Sequence, residues 1–591
     1  MINNALRSLI CSASEQSLDD AHEHDFNMST QPPQIDQFEW HRVEADVWKR
    51  TCLGHEASAS FNENIADGHT ELTLLTTFRV HQPSWSHIAG TELELDQLVA
   101  RARQAWIQAR YLRPEAAVEM DRHIDPTSPQ TMTYRLLRDE HSIQEWVDET
   151  FVVKRIGEPG VGTVDELCAY TYNRPLATKG KQSMLYLVLP KIGDESRTAH
   201  AIWNVSHAVT DGGSVVDFYN VFLQCMIDAT PSAPYDSIYT PSSFELNVLP
   251  RLPRSVVAAY RQQYRPTPDD VTSANKAAQA NMQLIADNTA RSLALVPATS
   301  WNQRTHKTIC LTKVMEASEA RELLKFAKQV HSGVTYLASA ATILATAETF
   351  PERKASSQGA LMGMVRNARR WLSTTPVDGV SGTSTPLGSD AVFLWVPVNT
   401  HQSLEPSFNR LQDLVSTARH VGRELDEHLT TAHCISSLPA AADGAIGGLN
   451  AQWAHINSIE SSPAAPTQAE LDSIVGPQAP GFSSVGVFKL YPRFQPMSAS
   501  ARASGLWLER LDFTHLGRQV NASPWISMLT IDGRIKFQLG FDTKFHEVEK
   551  MQAWLDRTFA WMRICAAAAA TTRTSVSSSS VDFSAPASSR L

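Results

Sequence analysis

One histidine, His207, stands in a sequence setting that suits proton transfer. It follows an apolar run that ends at Val205, and a helix-like segment from Val215 to about Met226 comes after it. This order predicts a buried strand, a loop that carries His207, and then a helix. The strand before the loop and the helix after it would fix the position of His207. A fixed position suits a general base that must point at a substrate hydroxyl.

The residues after His207 predict a loop of fixed shape. Asp211 can turn back into the loop, and Gly212 and Gly213 are expected to adopt backbone angles that other residues resist. The pattern His-x-x-x-Asp-Gly resembles the motif of the chloramphenicol-acetyltransferase-like acyltransferases. That superfamily includes plant BAHD enzymes, condensation domains of nonribosomal peptide synthetases, and fungal acyltransferases of secondary metabolism. The alternative is a surface histidine beside a structural Asp-Gly turn.

The resemblance runs in order from about residue 38 to residue 565. It implies an α/β (α+β) fold with two chloramphenicol-acetyltransferase-like halves. Each half would be a mixed sheet flanked by helices, with the active site in a channel between them. The domains expected from composition and pattern are a disordered tail (1–36), an N-terminal half (37–228), a proline-rich crossover linker (229–307), a C-terminal half (308–565) and a flexible tail (566–591).

Local patterns predict several elements of these halves. Residues 38–78 suggest strands, and Thr91 with Glu94 suggests a capping box before an amphipathic helix. Residues 184–189 and 198–205 are expected to pair as a hairpin that delivers His207. A second hairpin is predicted on Asp532-Gly533, followed by a helix from Phe545 to about Cys565.

The resemblance also assigns roles around the motif. His207 would be the general base and Asp211 a structural residue that orients the loop, while Ser206 replaces the first histidine of the superfamily's doubled pair. Relatives often pair the motif's aspartate with an arginine. Because His401 stands where that arginine is often found, Arg366 or another arginine would have to replace it.

Candidates for binding the oxyanion or the substrate lie in the C-terminal half. The segment 481–488 resembles the stretch that crosses between the halves in this superfamily, and its Ser484 could supply a hydroxyl to the oxyanion. A plain strand with two serines is the alternative. Asn399, in Pro-Val-Asn-Thr, is a second candidate.

Composition excludes several function classes. Lys+Arg total 52 against 62 Asp+Glu, a net charge of −10 without a basic stripe, which argues against nucleic acid as a partner. The seven cysteines are scattered and form no Cys-x-x-Cys pair, so they predict neither a disulfide framework nor a metal site. The run His22-Glu23-His24-Asp25 contains residue types that bind metals, but its position suggests a solvated, flexible tail. The apolar stretch 334–347 is too short to cross a bilayer, so no transmembrane segment is expected. As a separate expectation, the protein is a monomer.

Other catalytic motifs are missing from the sequence: there is no Walker-type phosphate loop, no Gly-x-Ser-x-Gly and no His-Glu-x-x-His. The BAHD motif Asp-Phe-Gly-Trp-Gly is also absent, which favours the fungal and condensation-like branch. His207 is thus left without a metal or a serine partner, which suits direct transfer between two bound substrates. The resemblance implies that the donor is acyl-CoA and the acceptor a hydroxyl, less readily an amine, without a permanently bound cofactor.

The C-terminus suggests both a location and an acceptor. Ser589-Arg590-Leu591 is a conservative variant of the Ser-Lys-Leu peroxisomal address, so we expect a peroxisomal import receptor as partner, with a cytoplasmic location as the alternative. This combination resembles fungal acyltransferases that put short- or medium-chain acyl groups on glycolipids such as mannosylerythritol lipid. Three alternatives stay open: a trichothecene-like alcohol O-acetyltransferase, a carrier-dependent condensation enzyme, and an inactive binding module of the same fold.

Overall fold

The structure is a computed structural model. It describes residues 37–82, 91–121, 125, 128, 130–176, 180–229, 251–298, 301–353, 357–372, 389–398, 405–430, 433–462, 464, 467, 470, 481–497, 499–503 and 505–575. Among these residues, a helix with both the length and the apolar character of a bilayer span is absent.

The described chain contains both strands and helices along its whole length. The strands are β1 His41–Glu44, β2 Val47–Thr51, β3 Leu72–His81, β4 Glu119–Met120, β5 Thr131–Arg135, β6 Phe151–Arg155, β7 Ser183–Leu189, β8 Thr198–Val205, β9 Thr308–Met315, β10 Gly359–Asn367, β11 Ser389–Pro397, β12 Gly481–Val487, β13 Arg493–Phe494, β14 Trp507–Gly517, β15 Trp525–Ile531 and β16 Arg534–Asp542. The α-helices are α1 His55–Ile65, α2 Glu92–Leu112, α3 Glu140–Thr150, α4 Val164–Tyr172, α5 Gly212–Asp228, α6 Val256–Tyr264, α7 Pro268–Asn288, α8 Ala317–Gln329, α9 Val334–Thr349, α10 Leu411–Thr430, α11 His433–Ser436, α12 Leu438–Glu460, α13 Ala499–Ala503 and α14 Val548–Ser575.

The first large sheet contains the strand that leads to His207. Its order is β13-β14-β3-β8-β7-β6, with β6 and β7 parallel and the other neighbours antiparallel. The predicted hairpin of β7 and β8 is confirmed. β14 comes from late in the chain yet pairs along the whole length of β3, so the two parts of the sequence are interlocked.

The second large sheet has the order β11-β10-β12-β15-β16-β9 and is also mixed, since β12 runs parallel to β10 and β15. The predicted hairpin of β15 and β16 is confirmed, and Asp532 (φ 50°) and Gly533 (φ 76°) both adopt the left-handed backbone that such a two-residue turn requires. A smaller sheet has the order β1-β2-β5-β4. Two mixed sheets with flanking helices confirm the predicted α/β class.

Buried aromatic rings fix the strand and helix on either side of His207. Trp203 of β8 stacks on Phe218 of α5 with ring centroids 3.7 Å apart, and Trp106 of α2 meets Phe218 edge-on at 5.9 Å. All three rings are fully buried in the first core. Aromatic burial of this kind contributes several kcal/mol, roughly 3–5 for each ring replaced by alanine, so the loop between β8 and α5 has a rigid support.

Three expectations about local structure are wrong. Residues 38–78 do not contain strands alone, because α1 occupies His55–Ile65, where Glu56 and Ala59 favour a helix. The helix after the motif begins at Gly212 rather than Val215. The last helix runs ten residues beyond Cys565, to Ser575, since the alanine run there has high helix propensity.

The capping box at Thr91 and Glu94 is confirmed, because each side chain accepts a hydrogen bond from the other residue's backbone N–H. Several other expectations fall outside the described residues. These are the tail 1–36, Asn399, His401 and the terminal Ser589-Arg590-Leu591.

Candidate active site

Asp211 holds the junction of β8 and α5. It is the N-cap residue of α5, and its Oδ1 accepts hydrogen bonds from the backbone N–H groups of Gly213 and Ser214, each 3.1 Å long. A carboxylate here satisfies amides that lack an acceptor within the helix, and the helix dipole stabilises its charge. Asp211 is 2% exposed, so the start of α5 and the end of the His207 loop are fixed together.

Arg369 forms an ion pair with Asp211. Its Nη2 lies 2.6 Å from Asp211 Oδ1 and 3.3 Å from Ser214 Oγ. Arg369 belongs to the 3₁₀ turn Ala368–Trp371 that follows β10, so a residue from the second sheet locks the motif loop of the first. The sequence suggested Arg366 or another arginine. The structure places Arg369 against Asp211, and the side chain of Arg366 lies outside the described part.

Gly212 and Gly213 permit close packing. The expectation that they supply unusual backbone angles is wrong, because both lie in the first turn of α5 and neither has a positive φ. A Cβ on Gly212 would stand 2.6 Å from Val485 Cγ1, and one on Gly213 would stand 3.0 Å from Arg369 Nη1. The glycines therefore let β12 and Arg369 approach the loop.

This packing gives a testable prediction for Gly212→Ala. We expect it to lower stability by about 1–3 kcal/mol through overpacking against Val485, and to lower activity by shifting the His207 loop. Thermal unfolding and rate measurements on Gly212→Ala, Val485→Ala and the double variant would show partial rescue in the double variant. Gly447→Ala in α12 is the control, since a Cβ there meets nothing within 4 Å. Strictly additive losses would contradict the steric explanation.

Helix α1 holds the other end of the loop through Glu63. Its Oε1 accepts a hydrogen bond from the His207 backbone N–H (2.8 Å), and its Oε2 accepts one from the Ser206 hydroxyl (2.6 Å). The Ser206 hydroxyl oxygen also accepts from Ala208 N–H at 3.1 Å. Glu63 is buried, so a charge-assisted pair of hydrogen bonds fixes the backbone at His207 itself.

The imidazole of His207 is oriented through its Nδ1 atom. Nδ1 lies 2.9 Å from the carbonyl oxygen of Thr210, in the same loop. Because a carbonyl can only accept, Nδ1 carries the proton and Nε2 keeps its lone pair. The ring is half-buried. In this tautomer Nε2 is the atom that can take a proton from a substrate.

Two further histidines lie close to His207. His55, the first residue of α1, places its Nε2 at 3.3 Å from His207 Nδ1. Burial, together with the nearby His207 ring, lowers the pKa of His55 to about 3. Burial, His207 and Lys536 lower the pKa of His515 on β14 to about 4. Both neighbours are therefore neutral near pH 7.

Ser484 lies on β12 beside the motif loop. Its Oγ is 2.8 Å from Thr335 Oγ1 at the start of α9. A bulge follows, with Gly486 at φ 81°, and this bulge directs Val485 toward Gly212. The structure thus brings Ser484 to the neighbourhood of the loop, whereas Asn399 lies outside the described residues.

Sequence reasoning missed His55, Glu63, Arg369 and His515. Each lies far along the chain from the motif: His55 is 152 positions from His207 and Arg369 is 158 from Asp211. The helix-forming residues at the start of α1 were the available signal for His55 and Glu63. Nothing local marks Arg369 or His515, because tertiary packing alone brings them to the site.

Comparison with solved structures shows the class of fold to which this protein belongs. No protein-family model matches the sequence. The structure is similar to the TRI3 trichothecene 15-O-acetyltransferase from Fusarium sporotrichioides, with a TM-score of 0.64, 16% identity, and coverage of 90% of this chain and 100% of that one. It is also similar to the first condensation domain of the calcium-dependent antibiotic synthetase, with a TM-score of 0.53, 10% identity, and coverage of 88% and 96%. The fold is that of the two-lobed acyltransferases and condensation domains.

Close sequence relatives narrow this class. Acyl-CoA-dependent acyltransferase MAC1 of Mycosarcoma maydis is 71% identical over 591 residues, covering 100% of both chains. The MAC1 enzyme of Pseudozyma antarctica (strain T-34) is 61% identical over 555 residues, covering 94% of this chain and 99% of that one. The chain belongs to the MAC1 family of acyl-CoA-dependent acyltransferases. This confirms the predicted enzyme class, with acyl-CoA as co-substrate.

Proposed function

We propose that the enzyme transfers an acyl group from acyl-CoA directly to a hydroxyl, with His207 as the general base. The contact of His207 Nδ1 with the Thr210 carbonyl, 2.9 Å long, is the observation that carries this proposal. It leaves the Nε2 lone pair available on a ring whose backbone is fixed from two sides. A base held in one tautomer by a second hydrogen bond is the arrangement that proton abstraction needs.

The reaction follows from this arrangement. His207 Nε2 takes the proton of the acceptor hydroxyl as its oxygen attacks the thioester carbonyl, and a tetrahedral oxyanion forms. The carbon–sulfur bond then breaks, and the imidazolium returns the proton to the CoA thiolate. Asp211 and Arg369 shape the loop without touching the reacting atoms.

We assign the oxyanion contact to Ser484. Thr335 can donate to Ser484 Oγ across their 2.8 Å contact and leave the Ser484 proton free for the oxyanion. Asn399 remains the second candidate.

We propose that the acyl group is short or medium in length and that the acceptor is a hydroxyl of a secondary metabolite, specifically a glycolipid such as mannosylerythritol lipid. One line of support is the resemblance to fungal glycolipid acyltransferases. The other is the terminal tripeptide: peroxisomes shorten fatty acids, so an enzyme located there would have short- and medium-chain acyl-CoA available. The trichothecene-like alcohol stays the alternative acceptor. Membership of an acyl-CoA-dependent family argues against both a carrier-dependent donor and an inactive binding module.

The proposed location is the peroxisome, with Ser589-Arg590-Leu591 bound by the import receptor. A fluorescent protein fused to the N-terminus of the chain should mark peroxisomes and become cytoplasmic when these three residues are removed. Unchanged distribution would reject the address. We also propose a monomer, which sedimentation of the purified chain would test.

Thiol release tests the proposed reaction. The purified enzyme would receive acyl-CoA of short, medium or long chain, with mannosylerythritol, with a terpenoid alcohol, or without acceptor. His207→Ala would serve as the inactive reference. We expect release that depends on the glycolipid acceptor and favours shorter chains. Release that responds only to the terpenoid alcohol would reject the glycolipid acceptor. In a parallel assay with a primary amine as acceptor, transfer to the amine but to neither hydroxyl acceptor would reject O-acylation.

A further inference from the structure

His55 and His207 form a contact that the reaction described above leaves unused. The two rings meet edge-on, with centroids 4.6 Å apart and planes at 76°, and His55 Nε2 lies 3.3 Å from His207 Nδ1. The contact joins α1 to the motif loop across 152 positions of sequence. Such a pair is a candidate for a second interaction that orients the base.

The direction of this hydrogen bond follows from the Thr210 carbonyl. Since Nδ1 of His207 donates its proton to that oxygen at 2.9 Å, His55 Nε2 can join only as a second acceptor. His55 must then carry its own proton on Nδ1. The Nδ1–H of His207 is shared between a carbonyl oxygen and an imidazole lone pair.

We propose that His55 is a positioning residue for the base: its Nε2 lone pair holds His207 in the reactive tautomer and stabilises the imidazolium that forms when His207 takes the substrate proton. This proposal rests on the proposed role of His207 as general base. The proton stays on His207, so His55 neither gains nor loses a proton during turnover.

Helix α1 is built to hold His55 in place. Gly54 has φ 58°, a left-handed conformation that lets the chain turn sharply into the helix just before His55. Arg50 and Glu56 then anchor this first turn through two buried hydrogen bonds of 2.6 and 2.7 Å. The other end of α1 supplies Glu63 to the His207 backbone. One rigid helix, α1, therefore fixes both the backbone of the His207 loop and the position of the His55 ring.

The electrostatic surroundings favour a neutral His55. Its pKa of about 3 reflects burial first and His207 second, while Asp211 on α5 acts in the opposite direction. Arg369 pairs with that carboxylate, and His515 on β14 is neutral as well. A neutral acceptor adds no charge repulsion when His207 becomes positive.

The test compares His55→Leu with His55→Gln in the full-length enzyme. Leucine removes the acceptor, whereas the glutamine side-chain oxygen can replace Nε2. In His55→Leu we expect kcat to fall about 10- to 100-fold, as for a mispositioned catalytic group, with KM for acyl-CoA unchanged. The acidic limb of the pH profile of kcat/KM should move to lower pH, because the imidazolium loses an acceptor. His55→Gln should recover most of both properties.

Controls separate this inference from the proposed function. His200→Gln alters another half-buried histidine, on β8, whose ring bonds Thr77 Oγ1 at 2.9 Å, and it should behave like the wild type. Full activity in His207→Ala would reject the base itself. If His207→Ala is inactive, an unshifted pH profile in His55→Leu, or equal losses in the leucine and glutamine variants, would reject the role of His55 alone.

Discussion

Replacement of His207 by alanine should lower kcat/KM by about a hundredfold to ten-thousandfold, the contribution expected of a positioned general base. The loss should appear mainly in kcat, because proton removal takes place in the transition state. Stability should change little, since the backbone N–H that bonds Glu63 and the Asp211 cap both remain. Thiol release with a saturating hydroxyl acceptor measures the effect.

A matched control keeps this result specific. His200→Ala changes a histidine on β8, the strand that leads into the His207 loop, and should keep nearly full activity. Ser484→Ala, assayed alongside, should lower kcat by about a hundredfold, at the low end for loss of an oxyanion donor. More than roughly a tenth of wild-type activity in His207→Ala would be incompatible with the contribution of a general base.

Replacement of Arg369 by alanine should have the second largest effect, because it removes the guanidinium beside a carboxylate that is 2% exposed. Loss of one member of a buried pair costs about 3–5 kcal/mol. Since the Arg369 side chain is 15% exposed and α5 amides still bond Asp211, about 2–3 kcal/mol is expected here. Activity should fall as well, because the ion pair that ties the loop to the end of β10 is lost. Chemical denaturation and rate measurements would give both values.

The comparison for Arg369 is a surface pair. Arg138 and Asp46 form two hydrogen bonds of 2.8 and 2.5 Å, but their side chains are 40% and 30% exposed. Arg138→Ala should cost roughly 0–1 kcal/mol and leave activity intact. Equal stability losses in the two variants would show that the Arg369 pair has no special role in the loop.

Short-range patterns in the sequence were sufficient for much of the fold. Alternating residues around Asp532-Gly533 predicted the β15–β16 hairpin, and Thr91 with Glu94 predicted the start of α2, since turn and cap chemistry act over a few residues. The motif itself is local, because His207 and Asp211 lie four positions apart on one loop. Features of this kind can be inferred without knowing how distant segments meet.

Long-range packing could not be inferred in the same way. Arg369 reaches Asp211 only because β10 ends beside α5, and no pattern distinguishes it from other arginines. His55 was hidden because residues 38–78 were interpreted as strands, although α1 lies among them. The close approach of Val485 to Gly212 depends on the bulge at Gly486, which a strand pattern does not predict.

The placement of β14 has a consequence for how this chain folds and can be expressed. β14 lies between β12 and β15 in sequence but pairs with β3 over Leu72–His81, in the other sheet. A fragment that stops before residue 308 would expose the unpaired edge of β3 and should aggregate. The two large sheets therefore depend on each other for stability. We expect the part of the protein that contains them to unfold in one cooperative transition. Complementary fragments would have to be synthesised together to yield active enzyme.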